Sequence, residues 1–322
     1  MLTRTIAALA ARLRLVSNLD LIYDARYFSP GRMESLLTDY DQIADDPAAE
    51  PDATLYILDD AVAPTVSVQA RTALARGPFA SLEEEMADKR YTLLGNQGLV
   101  YRYLLFLLAE AHGIHSFHAN ALYDPAEDTL TIVLGGAASG KSPVLLAGVR
   151  KGLQVFGTEL VHLEADQGTF VWHRAAAIDN IRPQSLAADF PDLLERLALP
   201  PGWEEIPPGA KYPLDLSAFA VPTQSLHNPR LRFLLPRVEA GRARPVVERL
   251  GPPGALAKLL FDNASEKIGS SFTLYNRLAL PGFDTPSLAE RRLATMVRLV
   301  AEAEIARAEM VLAEPRYFLE VL

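Results

Sequence analysis

The chain has 322 residues and a mass of 35.2 kDa, enough to bury a substantial core and to hold two domains. Its 49% hydrophobic and 22% charged residues are those of a soluble globular protein. The absence of cysteine excludes disulfides and thiolate metal sites, and the net charge of -9 argues against a general nucleic-acid binder.

Residues 1–95 are expected to form a small α/β accessory domain and residues 96–322 a larger second domain. Arg4, Arg12 and Arg14 interrupt the apolar residues of 1–16, which predicts a first helix or strand lead-in rather than a signal segment. Strands are expected over 19–23, 54–58 and 66–69. The acidic, proline-interrupted stretch 39–52 reads as a loop or edge, and the Glu83-Glu84-Glu85 run as a solvated face. The most apolar segment, 99–108, carries Arg102 and is followed by Glu110 and His112, so it predicts a buried helix rather than a membrane span. No membrane partner is expected, and the cytoplasm is the expected compartment.

Alternation over 114–123 predicts a strand, with a turn at 124–128. There follows Thr131-Ile-Val-Leu-Gly-Gly-Ala-Ala-Ser-Gly-Lys-Ser142, in which Gly135, Gly140, Lys141 and Ser142 meet the G-x-x-x-x-G-K-[ST] spacing. A strand-like run precedes it, and a helix with Pro143 in its first turn is expected after it. Glycines at those positions let the backbone curl, so that N–H groups of Gly136, Ala137, Ala138, Ser139, Gly140, Lys141 and Ser142 can face one anion. Lys141 would then reach the β/γ-phosphates of ATP, and the Ser142 hydroxyl would ligate Mg²⁺.

Beyond that helix, strands are expected at 154–156, 159–163 and 169–173. With strand 154–156 beside the loop strand, Glu159 falls near the phosphates as a ligand of Mg²⁺ and as a base. A surface glutamate at a strand start is the plainer alternative. Of the three histidines His112, His115 and His118, the last is placed to assist a base or to serve structure, and a shared metal site is not expected. His162 and Glu164 share a strand face that His173 opposes, which reads as a polar face. The proline-rich stretch 199–210 has the composition of a lid or substrate loop. A strand returns at 231–236, and 287–313 carries the longest helical signal, with Ser287 and Glu290 at capping-box spacing. The tail 317–321 is expected to close a sheet edge. Arg174, Arg182, Lys211, Arg230, Arg232, Arg237, Arg242 and Arg244 are the cations available to phosphate. Tyr212, Trp172 and Trp203 could stack on adenine, though core packing is the plainer role.

From Ser116-Phe-His-Ala-Asn-Ala-Leu122 through the loop to Lys151-Gly-Leu-Gln-Val-Phe-Gly-Thr-Glu-Leu-Val161, the chain resembles the HPr kinase/phosphorylase group, whose core is shared with phosphoenolpyruvate carboxykinase. The resemblance implies a mixed β-sheet core and an ATP-dependent kinase. It puts Lys141 and Ser142 in the phosphate and metal roles, and His118 beside the catalytic carboxylate. Thr158-Glu159 stands where that family has two aspartates, and the closest counterpart of its later signature, 178–182, is poor. Relatives of this kind phosphorylate a serine of a carrier protein, the C-terminal serine of a lasso-peptide precursor, or a small molecule, and commonly form homo-oligomers. The expected reaction is transfer of the ATP γ-phosphoryl group to a hydroxyl of a peptide, protein or metabolite. The alternatives are an ATPase and an inactive nucleotide-binding regulator, the latter suggested by Thr158. A decarboxylating carboxykinase is disfavoured by the short chain and the missing aspartate pair.

Overall fold

A computed structural model describes residues 1–322 apart from 70, 167, 198, 200 and 243, so Pro200 of the proline-rich stretch lies outside the described residues. The chain divides into two compact units, residues 1–115 with 265–289, and residues 116–264 with 290–322. This differs from a division near residue 95, because helix Leu99–His112 and the later segment 265–289 both belong with the N-terminal residues. Buried polar chemistry explains the second part. The Tyr275 hydroxyl donates to Glu83 at 3.2 Å and accepts the Leu93 N–H at 3.1 Å, while the Tyr27 hydroxyl donates to the same carboxylate. Glu83 is 6% exposed, so the acidic run holds one buried carboxylate instead of being wholly a solvated face.

The first unit carries a sheet in the order Ala44–Asp45, Leu2–Ala8, Ala11–Ser17, Ala53–Asp59, Thr72–Gly77, Thr65–Gln69. Residues 2–17 form a hairpin that turns at Leu9, where φ is +51°. Its second strand buries Leu13 and Leu15 and leaves Arg12 and Arg14 half-exposed, the alternation of a sheet with one core face. Residues 20–23, expected as a strand, form a 3₁₀ turn.

In the second unit the sheet runs Gln154–Gly157, Ala119–Asp124, Thr129–Leu134, Arg230–Val238, Ile305–Ala313, Val246–Arg249. The third, fourth and fifth strands are mutually parallel and the others pair antiparallel, so the sheet is mixed. All six residues of Thr129–Leu134 are buried, as a near-continuous apolar run in a central strand requires. On one face Ile132 and Phe233 pack with Trp172 and Leu163 of a second sheet and with Leu260 and Met296. On the other, Leu122, Val133 and Leu234 pack with Val144 and Leu145 of helix Lys141–Lys151 and with Phe318.

Several expected elements take other forms. The single strand at 114–123 is broken at His118 into Ile114–Phe117 and Ala119–Asp124, which join different sheets. Strand Gln154–Gly157 pairs with Ala119–Asp124, not with the loop strand. The helical signal at 287–313 resolves into helix Pro286–Glu302 and strand Ile305–Ala313. Thr285 caps that helix by accepting the Leu288 N–H at 3.2 Å, with Pro286 as first helical residue, in place of a box from Ser287. Along that helix Leu288 and Met296 are buried while Leu293 and Val297 are exposed. The tail forms a 3₁₀ segment, Pro315–Glu320, rather than a sheet edge.

Candidate active site

At the end of strand Thr129–Leu134 the backbone leaves the sheet through a run of left-handed residues, with φ of +141° at Gly135, +63° at Ala138 and +114° at Gly140. A Cβ at Gly135 would stand 2.5 Å from Ser139 Oγ, so both space and φ demand glycine there. Helix Lys141–Lys151 begins immediately, and its first-turn N–H groups have no partners within the helix. Pro143 sits in that turn, where a missing N–H costs nothing. Lys141 Nζ donates to the Gly135 and Gly136 carbonyls at 2.6 and 3.1 Å. The Ser142 side chain lies near enough to the Asp179 carboxylate to favour its charged form.

A second loop faces the first. Thr158, fully buried, gives its N–H to Ala176 O at 2.8 Å and shares its hydroxyl between Ala176 O and Ile178 O at 2.9 and 2.7 Å. Those bonds fasten the segment that leads into strand Ile178–Ile181, which carries Asp179. Glu159 follows in the left-handed region, φ +59°, so it lies in a turn and the strand expected to start there begins at Val161. Its N–H is held by Asn120 Oδ1 at 3.0 Å, and its Oε2 lies 3.5 Å from His118 Nε2. Left-handed backbone is costly for a glutamate and is seen where surrounding structure over-determines it.

These residues line one cavity of about 300 Å³, which includes Gly136 to Ser142, His118, Asn120, Glu159 and Asp179, with Arg182 and Lys211. Gly135 is not in its lining but shapes the turn beneath it. Asp179 was not singled out as a site residue by sequence. Its sequence signals are a polar pair, Asp179-Asn180, between isoleucines, and its place in 178–182, the poor counterpart of the later family signature. The residue is 1% exposed and its Oδ2 has no hydrogen-bond partner. Burial, then the negative charge of Glu159, pushes its carboxyl up to about 6, against the nearby Ser142 side chain and the charges of Lys211 and Lys141. A buried, under-satisfied carboxylate oxygen beside a serine hydroxyl and a second carboxylate is a donor set that suits a hard divalent cation.

The remaining candidates are dispersed. Arg230 pairs with Glu304, and Arg242 with Glu239. Arg232 is buried against Glu309 at 2.8 Å and also binds the Val321 carbonyl. Arg174 donates to Val221 O. Trp172 is a core residue against Phe117, and neither Tyr212 nor Trp203 lines the cavity. His112 meets Asp52 at 2.9 Å in the other unit, to which His115 also belongs. His162 and His173 are cross-strand partners, with His173 Nε2 3.0 Å from Glu164.

No protein-family model and no curated protein matches the chain. Among solved structures it is similar to the Hpr(Ser) kinase/phosphatase from Coxiella burnetii, at 16% identity over 42% of this chain and 76% of that one, with a TM-score of 0.24. A likeness of that size has no bearing on function, which rests on the cavity itself.

Proposed function

We propose that the chain is an ATP- and Mg²⁺-dependent phosphotransferase that moves the γ-phosphoryl group to a hydroxyl of a peptide, a protein serine or a small metabolite. One observation carries the reading. A glycine-rich turn with Lys141 and Ser142 opens into the same cavity as two carboxylates, Glu159 and Asp179, with Ser142 near the second. The loop N–H groups, the helix N-terminus and Lys141 would hold the phosphate chain. Ser142, Asp179 and Glu159 would hold Mg²⁺. The bound cation supplies charge neutralisation at the phosphates.

Glu159, oriented by His118, accepts the proton of the acceptor hydroxyl as that oxygen bonds to the γ-phosphorus. The bond from that phosphorus to the bridging oxygen breaks and ADP leaves. Arg182 and Lys211, which line the cavity with no carboxylate partner among the described residues, offset charge on the transferring group. Thr158 supports the architecture with a fully committed hydroxyl and takes no chemical role.

The test is incubation with γ-labelled ATP, Mg²⁺ and pools of peptides and hydroxylated metabolites. Label transferred to an acceptor, and lost by at least about a hundredfold in kcat/KM on Lys141→Ala, is the expected result. Release of labelled phosphate with every pool unlabelled would favour an ATPase, and an unchanged rate in Lys141→Ala would reject the assignment.

A further inference from the structure

Asn120 has a second task that its hydrogen bonds define. It lies on strand Ala119–Asp124, is 1% exposed, and lines the cavity. A backbone N–H can only donate, so the Glu159 N–H at 3.0 Å fixes which end of the amide is oxygen. The NH₂ group is therefore turned away from Glu159 N, and Nδ2 is buried without a hydrogen-bond partner. Asp179 Oδ2 also lacks a partner, so these two atoms do not satisfy each other. Native proteins rarely leave a buried amide donor unmet, and such a donor in a cavity wall suits an oxygen supplied by a ligand.

We infer that Asn120 reads the terminal phosphoryl group of the nucleotide: Nδ2 donates to a γ-phosphoryl oxygen while Oδ1 keeps Glu159 in its left-handed turn. The inference rests on the phosphotransferase reading. The position within the cavity selects the γ group. The loop N–H groups and Lys141 lie on the glycine-rich side, whereas Asn120 shares a hydrogen bond with the carboxylate loop, where acceptor and phosphoryl group meet. A neutral donor has a specific advantage there. It binds a phosphoryl oxygen without ion-pairing to Glu159 or Asp179, as a lysine in its place would.

The experiment needs no acceptor. Affinities of the full-length chain for a non-hydrolysable ATP analogue and for ADP, both with Mg²⁺, are measured by calorimetry for wild type, Asn120→Asp and Asn120→Ser. Aspartate retains the shape and the acceptor for Glu159 N–H but loses the donor, and serine shortens the side chain without adding charge. Each variant is expected to bind the triphosphate analogue at least tenfold more weakly while ADP affinity changes less than threefold. Equal weakening for both nucleotides would show a merely structural role, and no change for either would show an idle amide; both overturn the inference. A wild type that binds neither nucleotide would instead sink the phosphotransferase reading, a result distinct from any outcome in the variants.

Discussion

At Thr158 the side chain decides which substitutions the site can bear. Its hydroxyl faces two carbonyl oxygens inside the protein, so an aspartate there would set a buried carboxylate against acceptors. Thr158→Asp is expected to cost about 3 kcal/mol or more, and Thr158→Val about 1 kcal/mol, in denaturant unfolding. An aspartate that equalled valine in stability would show that the turn can rebuild around a charge. Asp179 gives a second prediction, and its sign follows from burial. Its carboxyl lies at about 6 against an ordinary 3.8, so the folded protein holds this proton more tightly than the unfolded chain. Stability from this group is full below about pH 4 and falls as pH rises to about 6. Asp179→Asn should therefore raise stability by roughly 2–3 kcal/mol at pH 7, gain little at pH 4, and abolish Mg²⁺-dependent turnover. Equal gains at both pH values would contradict the cause assigned. Lys141 and Ser142 were legible in the sequence because a glycine-rich turn needs fixed spacing. Asp179 was not, because its chemistry comes from a partner 37 positions earlier in the chain, Ser142, and from burial.

Between elements, local pattern identified strands without identifying their neighbours. The 119–124 strand intervenes between 154–157 and 129–134, a pairing no periodicity reveals. Since it runs antiparallel to both, the two flanking strands still point the same way, and Glu159 opens at the same sheet edge as the glycine-rich loop. The 305–313 strand was read as helix because a strong 3.6-residue pattern ran up to it. Its own alternation, with Glu309, Val311 and Ala313 buried and Met310 and Leu312 half-buried, is short and appears only beside its parallel partner Arg230–Val238. The loop itself makes an element-scale prediction. Gly135→Ala forces a Cβ to within 2.5 Å of Ser139 Oγ at a φ of +141°. The loop should rearrange, weakening binding of an ATP analogue at least tenfold with a small change in melting temperature, read by calorimetry and thermal scans. Retained affinity would show that the turn tolerates a second geometry.

Across the whole molecule, acid acts on two buried groups in opposite directions. His162 is fully buried and hydrogen-bonded to Ser116 at 2.8 Å, and burial, then His173, lowers it to about 3. The unfolded chain therefore takes up this proton first, and stability from a neutral His162 is full above about pH 6.5 and lost as pH falls toward 3. His162→Asn should flatten that acid limb in urea titrations between pH 4 and 7, and an unaltered limb would place the sensitivity elsewhere. Asp179 has the reverse slope over nearly the same range, so the net profile is shallower than either group alone would produce.

If Asp179 holds Mg²⁺ as proposed, the proton that burial, then Glu159, keeps on its carboxyl would compete with the cation for the same oxygens. Below about pH 6 the Mg²⁺ concentration for half-maximal rate should climb up to tenfold per pH unit while the ceiling rate at saturating metal holds steady, a competitive pattern that gauges how far the cell's acidity can throttle the reaction.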